Sequence, residues 1–387
     1  MTLPEDFIAS LKPVHPRELD AMIKKNTWPT PRVTFELFNE IRPVDFFCYL
    51  SARFGRPNGI QNFLRGDHSD NLIHWEWTLQ HEAGLVSIQG MNFRTEVHIY
   101  GGLPPADADK AHLIAQVTSD FRNHGKRMSE IRQTLEQWIE FVNPYQRIKR
   151  SIVGLLEELE ALNLQPDQEA IDMAEWTAED PTALSTRWEE TAARYSKGFG
   201  ICFGIRSMLP ILAEAYVNLL IYLLMKPELR GDDRLRENVF RQPIEVRIRS
   251  LSHNCEGFAK QPDYSSDPCK RYATLVNERN DLLHGNVAVE KLKFNEVFFL
   301  GTVPIFHEYR TMWQRSLEVM VNAVGLRTVL DEMTTVNDLT AYLQSCLVDK
   351  AREEVTIVTE SYELGLNKAT RKIGVLFEPW LVDFRAG

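Results

Sequence analysis

Cysteine is scarce in this chain: five in 387 residues (Cys48, Cys202, Cys255, Cys269, Cys346), odd in number, scattered and without a C-x-x-C pair. This pattern argues against a disulfide framework, and a reducing, cytoplasmic setting is expected. Long apolar runs are nearly as rare. Residues 1–20 hold acids and prolines in place of an apolar stretch, so no signal peptide is expected there. The most apolar segment, Met208 to Met225, contains Pro210, Glu214 and Asn218. A membrane span seldom tolerates all three, so the segment reads as a buried core helix and no membrane partner is expected. A Walker A loop, a dinucleotide-binding glycine fingerprint, H-E-x-x-H and a nucleophile elbow are all missing, which removes the best-marked enzyme classes. Internal repeats and low-complexity tracts are absent too.

Basic charge is also in short supply: 44 Lys and Arg face 54 Asp and Glu, a net charge of −10. The deficit is local. Residues 151–190 hold eleven acids and a single base, Arg187, and the rest of the chain is balanced. An RNA-binding surface elsewhere is therefore compatible with the acidic total.

What is present divides by periodicity. Ile73, Trp75, Trp77 and Leu79 alternate with polar residues, Leu85 to Gln89 follows, and Met91 to Tyr100 alternates again. Three short strands in succession predict an antiparallel meander. From Asp107 the period turns helical: Leu113, Val117 and Phe121, an interruption at Asn123-His124-Gly125, then Met128, Ile131, Leu135, Trp138, Ile139 and Val142. Residues 1–150 thus read as an α+β domain of unknown role. Residues 151–194 read as an acidic connector that begins as a helix over Ile152 to Leu162. Residues 195–335 read as a mostly helical bundle, with helices over 206–228, 234–260, 268–287 and 306–333 and a short strand at Val297–Leu300. Residues 336–387 read as an extension whose Val355–Glu360 and Lys372–Phe377 form a hairpin. The fold class expected is α+β, an antiparallel sheet with helices followed by a helical bundle.

Within the bundle, Arg279-Asn280-Asp281-Leu282-Leu283-His284, followed by Gly285, sets an arginine and a histidine at x4 spacing. Roughly one such pair is expected by chance in a chain of this composition, and Arg247 with His253 is a decoy at x5. The decoy has apolar Ile248 after its arginine and no glycine after its histidine. At the real motif, Asn280 and His284 share a helix face. Gly285 suits the C′ position and would put His284 in the last turn, where the helix dipole favours imidazolium. A histidine so placed can accept or donate a proton, and a permanent Arg279 charge can stabilise a pentacoordinate phosphate.

At Arg279, Asn280, His284 and Gly285 the sequence resembles the HEPN superfamily, small helical domains marked by Arg-x4–6-His with a polar residue after the arginine. The resemblance covers roughly residues 195–335. It implies a metal-independent endoribonuclease, without cofactor, whose site forms across a homodimer. Attack by the RNA 2′-OH would leave a 2′,3′-cyclic phosphate and a 5′-hydroxyl end, a route closed to DNA. By the same resemblance Arg279 binds the phosphate, His284 transfers protons and Asn280 orients one of them. The implied setting is toxin–antitoxin or antiviral defence, with an antitoxin or regulatory protein as a further partner. HEPN-like helices also serve as non-catalytic interaction scaffolds, in which Arg279 would pair with Glu278 or Asp281 and His284 would cap the helix.

Other candidates are weaker. Arg247 and Arg249 lie in an arginine-rich stretch that could form a phosphate-tracking rim. Glu214 and Asn218, one turn apart on an apolar helix, need partners and could line the same groove or bond each other. His74, Glu76, Glu96 and His98 read as a solvated sheet face before a metal site, and His253, Cys255 and Cys269 are too few for zinc. The acidic 151–190 stretch could act as an internal phosphate mimic.

Overall fold

The computed structural model describes residues 3–25, 31–64, 71–82, 84–101, 109–169, 181–285 and 289–377. The architecture is α+β, and the chain divides into two compact units, residues 1–137 with 376–387, and residues 138–375. The first boundary falls at 137, earlier than the expected 150, and most of the expected C-terminal extension belongs to the second unit.

In the first unit, α1 (Phe7–Ser10), β1 (Lys12–Pro13), α2 (Pro16–Lys24), β2 (Pro31–Leu37), α3 (Pro43–Phe54) and α4 (Gln61–Leu64) precede the meander. The meander is β3 (Trp75–His81), β4 (Gly84–Gly90) and β5 (Thr95–Gly101), followed by α5 (Asp109–Thr134). The sheet is antiparallel in the order β1-β3-β4-β5-β2. Register places Trp77 opposite Ile88, Ile88 opposite Val97 and Val97 opposite Phe35, so period-two alternation delivers one apolar face. These side chains bury with Phe46, Tyr49 and Leu50 of α3 and Leu113 and Val117 of α5. Helix α5 runs unbroken through Gly125, a correction to the expected interruption, because a single glycine costs a helix only about 1 kcal/mol.

The opposite sheet face is less open than expected. Glu76 is buried, and its carboxylate accepts from Gln61 N (2.9 Å), Ser87 Oγ (2.7 Å) and Gln89 Nε2 (2.9 Å). Asn58 seals the same face by donating to Val14 O and Thr78 O, 2.8 Å each.

The second unit contains β6 (Trp138–Val142), α6 (Pro144–Ala161), α7 (Pro181–Leu224), α8 (Pro227–Gly231), α9 (Asp233–Arg241), α10 (Ile244–Arg249), α11 (Leu251–Asn254) and α12 (Asp267–His284). After it come α13 (Val289–Leu292), β7 (Val297–Leu300), β8 (Val303–Phe306), a π-helical turn at Gln314–Glu318, α14 (Val319–Ala323), α15 (Val329–Ser345), α16 (Asp349–Glu360), β9 (Glu363–Asn367) and β10 (Ile373–Gly374). Strand β6 pairs with β9, and β10 flanks β9. Trp138, Ile139 and Val142 therefore belong to a strand, a correction to their helical reading. Val355–Glu360 is helical for the converse reason: Ala351, Val355 and Val358 fall on one buried helix face.

Helix α7 is the axis of this unit. Its stretch Thr182–Leu224 is long and apolar enough to cross a membrane by length and composition, but its most apolar window is 61% buried within the protein. Ile205, Leu209, Leu212, Tyr216 and Leu220 pack into a core shared with α6, α12, α15 and α16. The described parts of the acidic stretch are likewise built into this framework. Residues 151–161 complete α6, with Ile152 fully buried, and 181–190 begin α7. Glu169 accepts from Tyr195 Oη (2.6 Å) and pairs with Arg194, and Asp167 pairs with Arg327 at 2.7 Å. Those carboxylates are engaged by bases of the same unit. Asp172, Glu175, Glu179 and Asp180 lie outside the described residues.

Candidate active site

Helix α12 carries the motif. Pro268 sits in its first turn, where a missing N–H costs nothing, and Cys269, Tyr272 and Leu275 form its buried stripe. Gly285 ends it at φ 59°, ψ 36°, donating its N–H to Asp281 O. That left-handed conformation favours glycine, and it makes His284 the last helical residue. His284 is exposed, and Arg279 and Asn280 are half-buried. At 100° per residue Arg279 and His284 stand about 140° apart around the axis, with Asn280 between them. One copy of α12 thus presents the two functional groups on different faces.

The surroundings of Arg279 bear on the expectation that it pairs with Glu278 or Asp281. Glu278 is taken by another arginine: Arg206 on α7 donates from Nη2 to Glu278 Oε2 and from Nε to Glu332 Oε2 on α15, both at 2.8 Å. Its Nη1 reaches Ala323 O at 3.3 Å, and Thr328 Oγ1 donates to the other oxygen of Glu332 at 3.2 Å. Gly325, at φ 67°, admits the guanidinium, because a Cβ there would stand 3.0 Å from its carbon. Arg279 forms no ion pair among the described residues, and its buried Nε has no hydrogen-bond partner. The pairing of Arg279 with Glu278 or Asp281 is not found. An open groove of about 610 Å³ runs beside the Arg206 clamp, lined by Arg206, Glu278, Asp281, Leu282, Gly285 and Lys293. Arg279, Asn280 and His284 do not line it.

Arg247 is 4% exposed, with Nη2 donating to Glu214 and Nη1 to Asn218. Glu214 and Asn218 therefore share Arg247 instead of bonding each other. This removes Arg247 from an open phosphate rim: its terminal nitrogens are committed inside the unit. Arg249 is exposed, paired with Glu245 at 2.9 Å and stacked on the Tyr264 ring at 4.7 Å. The two clusters meet electrostatically at Tyr272, whose hydroxyl donates to Pro210 O at 3.3 Å. Burial first, then Glu214 and Tyr264, push that hydroxyl above its usual pKa, while Arg247 and Arg279 pull it down. Glu214 and Arg279 are thus felt by the same ring, although Glu214 faces Arg247.

Arg206 escaped the sequence reading. A signal existed: Arg206, Glu214 and Asn218 fall at multiples of four residues along an otherwise apolar helix, polar side chains that need partners. In the first unit, His98 faces Glu96 (3.0 Å) and Thr34 (2.8 Å), and His74 bonds Asn92. No group of three or more His, Cys, Asp and Glu able to hold a metal occurs among the described residues. All five cysteines are free and buried.

Comparison with protein-family models and with curated proteins finds no match.

Proposed function

We propose that the second unit is a HEPN-like endoribonuclease module acting on RNA without a metal or other cofactor. The observation that carries this reading is the state of Arg279: a guanidinium without a carboxylate partner among the described residues, beside Glu278, which is held by Arg206. A cation left unneutralised beside a satisfied carboxylate is suited to an anionic ligand, and RNA phosphate is the ligand that the Arg-Asn-x-x-x-His-Gly motif favours. Asn280 and the exposed His284 on the last turn supply orienting and proton-transfer groups. The dimer that the resemblance implies would furnish one imidazole as base and the other as acid. The proposed setting is a cytoplasmic toxin–antitoxin or antiviral system, with an antitoxin or regulatory protein as partner.

The test is cleavage of labelled RNA in EDTA by wild type and by the His284→Ala and Arg279→Ala variants. Wild type is expected to leave 2′,3′-cyclic phosphate ends. Loss of the phosphate-stabilising donor is expected to slow cleavage by ~10²–10³-fold, by analogy with oxyanion-hole donors. Equal cleavage by all three proteins, or dependence on a divalent ion, rejects the reading. A second reading, a non-catalytic interaction scaffold, is favoured by the exposed apolar hairpin β7–β8. It predicts no cleavage of any RNA by a folded wild type.

A further inference from the structure

Strands β7 and β8 form a hairpin whose sequence, Val-Phe-Phe-Leu, then Gly-Thr, then Val-Pro-Ile-Phe, would suit a protein core. Every residue of both strands is nevertheless exposed: Phe298 55%, Phe299 67%, Leu300 74%, Val303 59%, Ile305 51% and Phe306 45%. The three phenylalanines alone leave roughly 300 Å² of aromatic surface in water, and the aliphatic residues bring the total to on the order of 600–700 Å². Val297, Phe299 and Phe306 lie on one face of the hairpin and Phe298, Leu300, Val303 and Ile305 on the other, so each face exposes on the order of 300 Å² of apolar surface. An isolated two-stranded hairpin is also marginal in water.

The hydrogen-bond pattern says which edge is open. His307 N donates to Glu296 O at 2.9 Å, which makes 296 and 307 a hydrogen-bonded pair. Antiparallel pairs alternate, so Phe298–Ile305 and Leu300–Val303 are bonded pairs, while Val297–Phe306 and Phe299–Pro304 are not. Pro304 therefore lacks its N–H on the outer side of β8, a common way of blunting an edge. On β7 the outward groups belong to Val297 and Phe299, with no proline and no charge. That edge is a pairing template.

We propose that β7 pairs antiparallel with β7 of a second copy of this chain, giving a four-stranded sheet in the order β8-β7-β7-β8 across a two-fold axis. The edge is self-complementary. Centred on Phe298, Val297 of each copy exchanges two hydrogen bonds with Phe299 of the other, and the two Phe298 side chains meet in the non-bonded position. A two-fold interface requires this self-matching. The inference is separable from the ribonuclease reading, which also calls for two copies, because the β7 variants and not cleavage decide which surface pairs.

Two variants test it. Phe299→Pro removes an outward N–H that β8 does not use, so the hairpin survives while the edge is blocked. Phe298→Cys places two thiols about 4.5 Å apart by Cα across the axis, within disulfide reach, whereas Ile305→Cys on β8 does not. The expected result is a wild-type dimer in size-exclusion chromatography with light scattering. Phe299→Pro is expected to be monomeric with an unchanged circular dichroism spectrum, and mild oxidation is expected to cross-link Phe298→Cys but not Ile305→Cys. A monomeric wild type overturns the proposal and assigns the hairpin to a different partner. A Phe299→Pro dimer, or no Phe298→Cys cross-link, also overturns it by moving any self-association elsewhere.

Discussion

Arg206 and Arg279 stand on adjoining helices of the second unit, in opposite surroundings. Arg206 is 8% exposed and holds two carboxylates and a backbone carbonyl. Arg279 is half-buried, and its Nε has no partner. The first arrangement is the usual way a protein keeps a cation inside: charge and hydrogen bonds are both satisfied, and α7, α12, α14 and α15 are tied at one point. The second leaves a buried donor without a partner among the described residues, as is also the case for the Nε atoms of Arg230, Arg247 and Arg310. The difference teaches that Arg206 ties helices together through Glu278 and Glu332, whereas Arg279 holds no carboxylate among the described residues.

The comparison breaks most readily at Arg206. Arg206→Met strands Glu332, 9% exposed, without its cation. Removing one partner of a buried pair typically costs about 3–5 kcal/mol, and about 3 is expected here because Glu278 is more open to water, its side chain 38% exposed. Arg279→Ala, which strands nothing, is expected to change stability by less than about 1 kcal/mol. Urea unfolding of the two variants measures both. Equal losses would mean that Arg279 is as structural as Arg206, and the distinction would fall.

How far the sequence reveals this follows from how local each signal is. The β3–β4–β5 meander and the Gly285-terminated end of α12 are legible because alternation and a glycine C′ position act over a few residues. Strand β6 is not, since Trp138 to Val142 becomes a strand only through β9, more than 220 residues away. Val355 to Glu360 shows β-branched propensity, yet the burial of Ala351, Val355 and Val358 on one face overrides it. The motif residues were legible by type and spacing. The clamp on Glu278 was not, because Arg206 lies 72 positions before Glu278 and 126 before Glu332.

A smaller effect is expected at the neighbouring cluster. Glu214→Gln keeps the shape around Arg247 but removes its counter-charge. A hydrogen bond to a charged group contributes about 1.5–3 kcal/mol. The lower part of that range applies, because Asn218 remains bonded to Arg247 and the Glu214 side chain is 39% exposed. Cleavage measured beside stability then separates two roles for Glu214. Unchanged turnover in a mildly weakened protein makes it the partner of Arg247 alone. A loss of turnover far beyond the stability change would return it to the substrate groove.

The smallest expected effect is chemical and reports on the clamp directly. Cys202 lies one turn before Arg206 on α7 and is fully buried. Burial pushes its thiol up to about 11, with Arg206 opposing and Glu332 reinforcing the shift. At pH 8 the thiolate is thus a fraction on the order of 10⁻³, and the folded protein is expected to resist thiol reagents at this position. Opening the clamp changes access more than acidity, since losing Arg206 by itself raises the thiol pKa and lowers reactivity. Faster labelling of Cys202 in Arg206→Met, located by peptide mass spectrometry, therefore measures local opening of α7 against α15. Arg279→Ala is expected to label at the wild-type rate. Slower labelling in Arg206→Met would show that the helices stay closed without their arginine, and that core packing, not the ion pairs, holds them.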